Sequence, residues 1–291
     1  MIQGEEIKNL VNLLKERNVT LFHACQFVDF RSYGNLQGIP SRACLQESGY
    51  LFTNFETDED DHVKDVWNKV FLNFSDFGTT FSNGKNGIPN PYGPILLKLS
   101  PEILNEAESV AVCTEPVGSN AYVNSELNSL KSINDINRIF AHPANHPENR
   151  KRAWVKYKSA LREEFQCSKP CDPDISCTVA GGKLSLKYLK RVLIDPYVVA
   201  GKPLRNWVAK TFPPELDDLF QERTSARKLL YNELANLIID GISDIGELSQ
   251  SSYMSEELSK WAQAIECNNL GWQFRRFANY LRNGTLLEIH N

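Results

Sequence analysis

In the stretch LFHACQFVDFRSYGNLQGIPSRACL, residues 21–45, His23 lies in a β-prone run and Arg42 follows a Gly-Ile-Pro-Ser turn. An imidazole both donates and accepts hydrogen bonds. A guanidinium stays charged and grips an oxyanion in two places with its planar fork. Neither type alone marks a site, because a lone strand-end histidine is usually an ordinary, satisfied side chain. The two stand at the head of an ordered series. Gly34 and Pro40-Ser41-Arg42 come first, then the aromatic VFLNFSDF at 70–77 and NPYGPILLKL at 90–99. DISCTVAGGKLSLKYLKRVLIDP at 174–196 closes it.

A second group is cationic. Arg150, Lys151, Arg152, Lys156, Lys158 and Arg162 crowd thirteen residues, with Trp154 and Tyr157 between them. Such a mixture suits a phosphate backbone with stacked bases, and equally a solvated helix face. Phosphate-loop, dinucleotide-binding, zinc-protease and serine-elbow motifs are absent. Cys167, Cys171 and Cys177 lack a fourth ligand at zinc spacing and read as small buried thiols, so no metal is expected.

The elements that must position these groups follow from pattern. Apolar Ile7, Leu10, Val11 and Leu14 predict an amphipathic helix over 5–17. A strand at 20–23, a short helix closed by Gly34 and a turn at NLQGIPSR follow. ETDEDDHVKDVWNKVF starts a helix with carboxylates, VFLNF is a strand, and the residues to Gly93 form a long loop. PILLKLS and SVAVCT alternate little and read as strands buried on both faces. Helices are expected near 124–140 and 147–165, then strands DISCTVAGG and KRVLIDP flanking KLSLKYL. Beyond Pro196, Pro213-Pro214 opens a long amphipathic helix bearing Leu216, Leu219, Leu230, Leu234, Leu237 and Ile238, and two more helices follow. The domains expected are therefore 1–200, mixed in structure, and 201–291, helical.

The order of these features resembles the DarT-like nucleic-acid ADP-ribosyltransferases, toxins of bacterial toxin–antitoxin and anti-phage systems. Phe22-His23 answers that family's tyrosine-histidine strand, and a short helix, an arginine and an aromatic strand follow in turn. SCTVAGGKLSLKYLKRVLID has the cadence of its AE-apolar-LV strand, turn and following strand. The resemblance covers residues 20–195 and implies an α+β fold, with a split β-sheet core, flanking helices and a helical C-terminal part. It implies that NAD is the substrate, with His23 on a ribose and Arg42 at the pyrophosphate or the developing charge. Ser41 would sit beside it. Phe71 and Phe74 are the rings implied for the nicotinamide, with Phe77 and Phe81 in the same aromatic group. Tyr92 and the CTEPVGSNAY loop fall among target-recognition elements.

The departure concerns the acid. The family's glutamate orients the ribose and accepts the target's proton, but Ser176 occupies that slot here. Asp174, two residues earlier, shares the strand face of residue 176. Glu115 in CTEPVG is a second candidate, and a chain with no acid at all is the third possibility. A non-catalytic nucleotide- or nucleic-acid-binding protein of this fold therefore stands beside the enzyme, as do a protein-directed transferase and an NAD glycohydrolase.

Composition sets outer bounds. The 291 residues, 42% hydrophobic and 23% charged, describe a globular chain able to bury a sizeable core. A net charge of −4 supplies no global attraction to nucleic acid or anionic membrane, so single-stranded DNA or RNA must be held by a local patch. No leader or apolar span is read, and seven cysteines suit free thiols in the cytoplasm, with no membrane partner. The C-terminal helices are expected to meet an antitoxin or chaperone, or to extend the nucleic-acid groove. If Arg150–Lys156 with Trp154 is the track, replacing Lys151, Arg152 and Lys156 by Ala weakens oligonucleotide binding. The log–log salt slope then flattens by about 0.7 for each phosphate of a single strand that is no longer neutralised. An unchanged slope in a filter-binding titration would assign the segment to a solvated face.

Overall fold

The computed structural model describes residues 1–53, 58–74, 76, 92–115, 117, 122–140, 173–196, 198–199, 202–212, 214–223, 232–238, 240–252, 254–267, 271, 274–275 and 278. The fold is mixed α and β, with a large mixed sheet. Its strands are β1 (Ile2–Gln3), β2 (Leu21–Cys25), β4 (Val70–Asn73), β5 (Ile95–Leu99), β6 (Ala107–Cys113), β7 (Asp174–Val179), β9 (Leu189–Ile194) and β12 (Phe220–Glu222). They run in the order β1-β6-β7-β4-β2-β5-β9-β12. Short pairs join β3 (Gly38–Pro40) to β8 (Lys183–Ser185) and β10 (Val198–Val199) to β11 (Lys202–Pro203). Among the described residues no helix is long and apolar enough to cross a membrane.

The chain groups into two units. The first holds Met1–His23, Asn35–Ser75 and Lys98–Lys190, and the second holds Ala24–Gly34, Asp76–Leu97 and Arg191–Asn291. In the first, α1 (Glu5–Glu16) buries Ile7, Leu10, Val11 and Leu14, the stripe its periodicity predicts. Strand β6 buries every residue from Ser109 to Cys113, as its non-alternating sequence requires.

The turn expected at NLQGIPSR contains strand β3. Helix α2 (Phe27–Leu36) runs two residues past Gly34, and Gln37 takes the left-handed turn with φ 54°. Gly34 has another reason to lack a side chain. A Cβ there would lie 3.2 Å from Thr211 and 3.3 Å from the Phe212 ring, which packs 4.7 Å from Phe30. Among the described residues of the acid-started segment, α4 (Asp58–Val63) is the helical part, and Asp65 at φ 53° turns the chain toward β4. The region expected as helix near 124–140 holds two short ones, Ser125–Asn128 and Ile133–Asn137, each started by a side-chain cap, from Asn124 and Ser132.

The long helix expected from Pro213-Pro214 is a correction. A 3-10 turn spans Pro214–Leu219, and Phe220–Glu222 then joins the sheet as β12, parallel to β9. Buried Phe220 sits edge-on to Phe212 at 6.1 Å, so packing overrides the helical pattern there. Residues 232–238 are helical. Leu234 and Ile238 pack with Leu248, Leu258, Ala262 and Phe274, burying the apolar stripe beside helices Ile245–Gln250 and Glu256–Cys267.

In the second unit Arg223 is held between two carboxylates. Its Nη1 lies 2.6 Å from Asp76 and its Nε 3.3 Å from Asp195, and all three side chains are about nine-tenths buried or more. Desolvated charges of this kind are tolerated only with their counter-ions present. Replacing Arg223 by Met should therefore cost about 3–5 kcal/mol, read as a lowered urea midpoint, whereas an unchanged midpoint would contradict this account.

Candidate functional site

Strand β7 carries the candidate acid and is paired on both edges. Asp174 lies opposite Asn73 of β4 and Cys113 of β6, and Ser176 lies opposite Phe71 and Ala111. Directly opposed residues of antiparallel strands share a face. One row across this face therefore reads Cys113, Asp174, Asn73 and then Phe22, which pairs with Asn73 from β2. The alternate residues Ile175, Cys177, Leu72, Val110 and Val112 are fully buried in the core on the other face.

Asp174 is 9% exposed and accepts a 2.6 Å hydrogen bond from Asn73 Nδ2. It thus lies in a protein environment rather than in solvent on the far side of the strand. Ser176 is deeper. Its neighbours Phe71 and Ala111 belong to a cluster with Val66, Cys113, Val117 and Tyr122, and its buried Oγ finds no hydrogen-bond partner. That environment is apolar, and a charge there would be costly.

The other candidates distribute as follows. His23 is half-buried on β2, its Nδ1 2.7 Å from the Phe71 carbonyl. A carbonyl only accepts, so Nδ1 carries the proton in this bond. By register, His23 follows Phe22 and projects away from the Asp174 face, while its ring is tied to the strand between them. Ser41 caps α3 (Arg42–Glu47), its Oγ accepting from the Cys44 amide at 3.2 Å. The Ser41 amide donates to the Gly182 carbonyl at 2.7 Å, which joins the Arg42 helix to the turn after β7. The Arg42 guanidinium lies 5.1 Å over the Phe52 ring.

Phe71 is half-buried, whereas Phe74 is 3% exposed and belongs to the core. Glu115 is buried just beyond β6. All of these lie in the first unit, whereas Tyr92 belongs to the second, beside Gly93. A Cβ on Gly93 would meet the Cys25 carbonyl at 2.0 Å, and its φ is 148°. Phe77, Phe81 and the segment Arg150, Lys151, Arg152, Trp154, Lys156 lie outside the described residues.

The fold adds side chains that residue order alone does not single out. Besides Asn73, these are Lys69, Ser125 and Tyr122. Lys69 Nζ lies 2.7 Å from Ser125 Oγ, which is 2.7 Å from the Tyr122 hydroxyl. Burial lowers the Lys69 pKa. Burial first, and then the negative charge of Asp174, push the Cys113 thiol up to about 12. Burial likewise raises Tyr122 to about 12, with the Ser125 bond opposing and Cys113 and Asp174 adding to the rise. Thiol and phenol therefore stay protonated at neutral pH, and the negative charge acting on both is that of Asp174. Nothing in the spacing of Lys69, Ser125 and Tyr122 announces this; side-chain contacts between segments distant in sequence create it.

Burial also raises Cys177 to about 12. An unfolded thiol ionises near 8.5, so the unfolded chain loses these protons first and stability falls as pH rises from about 9 to 12. At pH 8, iodoacetamide should leave Cys113 and Cys177 unmodified in the folded protein and label both in urea, as peptide mass mapping reads directly. Equal labelling rates in the two states would contradict the burial described.

No family model matches the chain, and no curated protein matches its sequence.

Proposed function

We propose that the chain is an NAD-dependent ADP-ribosyltransferase of the DarT-like kind. It modifies a base of single-stranded DNA or RNA and acts as a toxin in a toxin–antitoxin or anti-phage system. The observation that carries the reading is a buried, hydrogen-bonded carboxylate at Asp174, two residues from the slot where that family keeps its glutamate. Support comes from direct connections within one unit. His23 is bonded to the Phe71 carbonyl of β4, β4 pairs with β7, and the Ser41 amide ties the Arg42 helix to the turn that ends β7.

The chemistry suits few groups. The bond between the nicotinamide nitrogen and the ribose C1′ breaks, and nicotinamide leaves with the electron pair. A nitrogen of the target base forms the new bond to C1′ and gives its proton to the carboxylate. Positive charge grows at C1′ on the way, so a fixed negative charge beside the ribose stabilises the transition state without a proton to move first. Arg42 binds the pyrophosphate as a permanent cation. Glu115, also buried, is the second carboxylate for the role. The basic residues 150–162 with Trp154 supply backbone contacts and stacking for an unpaired base.

Two observations favour a rival reading, a binding protein that keeps the fold without the chemistry: His23 projects away from the Asp174 face, and the slot residue offers no acid. Ser176, in the slot itself, is packed under apolar neighbours.

Radiolabelled NAD with separate single-stranded DNA, RNA and protein pools decides among these. The full chain should transfer label to an oligonucleotide. Arg42→Ala should lose about 10–150-fold, the equivalent of about 1.5–3 kcal/mol for a charge-assisted pair. Asp174→Asn should lose about 100-fold or more while still binding NAD, with Glu115→Gln as the matched control. Normal transfer by folded Arg42→Ala overturns the assignment, and NAD binding without transfer to any pool favours the rival.

A further inference from the structure

We infer that Asn73 is the positioning residue for Asp174: the cross-strand amide fixes one oxygen of the carboxylate and keeps it ionised and aimed along the β4–β7 row. This rests on the transferase reading for its consequence in catalysis, though not for its physical content. Asn73 and Asp174 are direct partners in the ladder, so both backbones are anchored on neighbouring strands. The 2.6 Å bond from Nδ2 to Oδ1 therefore spans two fixed points instead of two flexible tails. An amide donor is neutral at every pH. It can hold a carboxylate through a bond to the charged form without cancelling that charge, as a lysine or arginine would.

An aspartate is about one methylene shorter than the glutamate of the resembled family, so its direction matters more than a longer side chain's would. On the other side of Asp174 stands Cys113, a protonated thiol at neutral pH. The titratable and charged groups acting on this cluster include Lys69, Lys131, the N-terminal amine of Met1, Tyr122, Cys113 and Asp61. The lysines supply charge through Cys113's surroundings, Lys69 is engaged with Ser125, and the phenol and thiol are neutral.

The test is a carbon NMR titration of the aspartate carboxyls in the full chain, with the Asp174 signal identified by its disappearance in Asp174→Asn. Asn73→Leu keeps the size and removes the donor, and the Asp174 titration midpoint should rise by about one pH unit. Asn73→Ala serves if the leucine variant does not fold, and Asn73→Ser, which retains a donor, should recover part of the shift. An unmoved midpoint in a folded variant overturns the inference.

With NAD turnover as a second readout, Asn73→Leu should lower kcat about tenfold with KM for NAD within about twofold, and should add no further loss in the Asp174→Asn background. Independent, additive losses would show that Asn73 acts elsewhere. A moved midpoint in a protein that transfers nothing upholds the Asn73–Asp174 coupling and assigns the failure to the transferase reading.

Discussion

Strand β7 is hydrogen-bonded along both edges, to β6 and to β4, and the first unit is arranged around that double pairing. The pleat leaves it two faces. Ile175, Cys177 and Val179 go to the apolar core, so Asp174, Ser176 and Thr178 must go to the other. A slip of one residue would exchange them, driving a carboxylate into packed leucine and valine. The apolar face therefore holds the acid in place, and it does so without touching it. The row Cys113–Asp174–Asn73–Phe22 is a by-product of registers that hydrophobic burial sets.

The same register separates chemistry from packing along a few ångströms of strand. Ser176 sits between Phe71 and Ala111, where an ionised group would be unsupported. Asp174, one row on, has the Asn73 amide as a donor. Moving a carboxylate by two residues keeps the strand face and exchanges a place beside the Asn73 donor for one between Phe71 and Ala111.

Much of this could be read from residue order. The period of Ile7, Leu10, Val11 and Leu14 announces α1, and the glycine pair after Val179 announces the end of β7. That residues 174 and 176 share a face follows from the two-residue period of a strand alone. What stayed hidden depends on contacts distant in sequence. Asn73 reaches Asp174 across 101 residues, and no local pattern marks it. Gly34 imitates a helix terminator, yet its role is to admit Thr211 and Phe212. Phe220–Glu222 is three residues inside a helical-looking pattern, and only its place beside β9 makes it a strand. The acid-started helix stops at Val63 because Asp65 turns the chain, a choice made by the strand it must enter.

The buried Arg223 has a consequence for the order in which the chain is made. Asp76 lies 147 residues before its partner, and Asp195 stands at the end of β9. A ribosome emitting about 5–20 residues each second releases both carboxylates well before the guanidinium that neutralises them. Until residue 223 emerges, closing that part of the second unit would bury two anions before this guanidinium can pair with them, which favours leaving them in water. The first unit's β4, β6 and β7 are complete by Val179 and are free of this dependence. Synthesis therefore imposes a sequence of events: the ladder that holds Asp174 can close while the nascent chain still waits for its arginine.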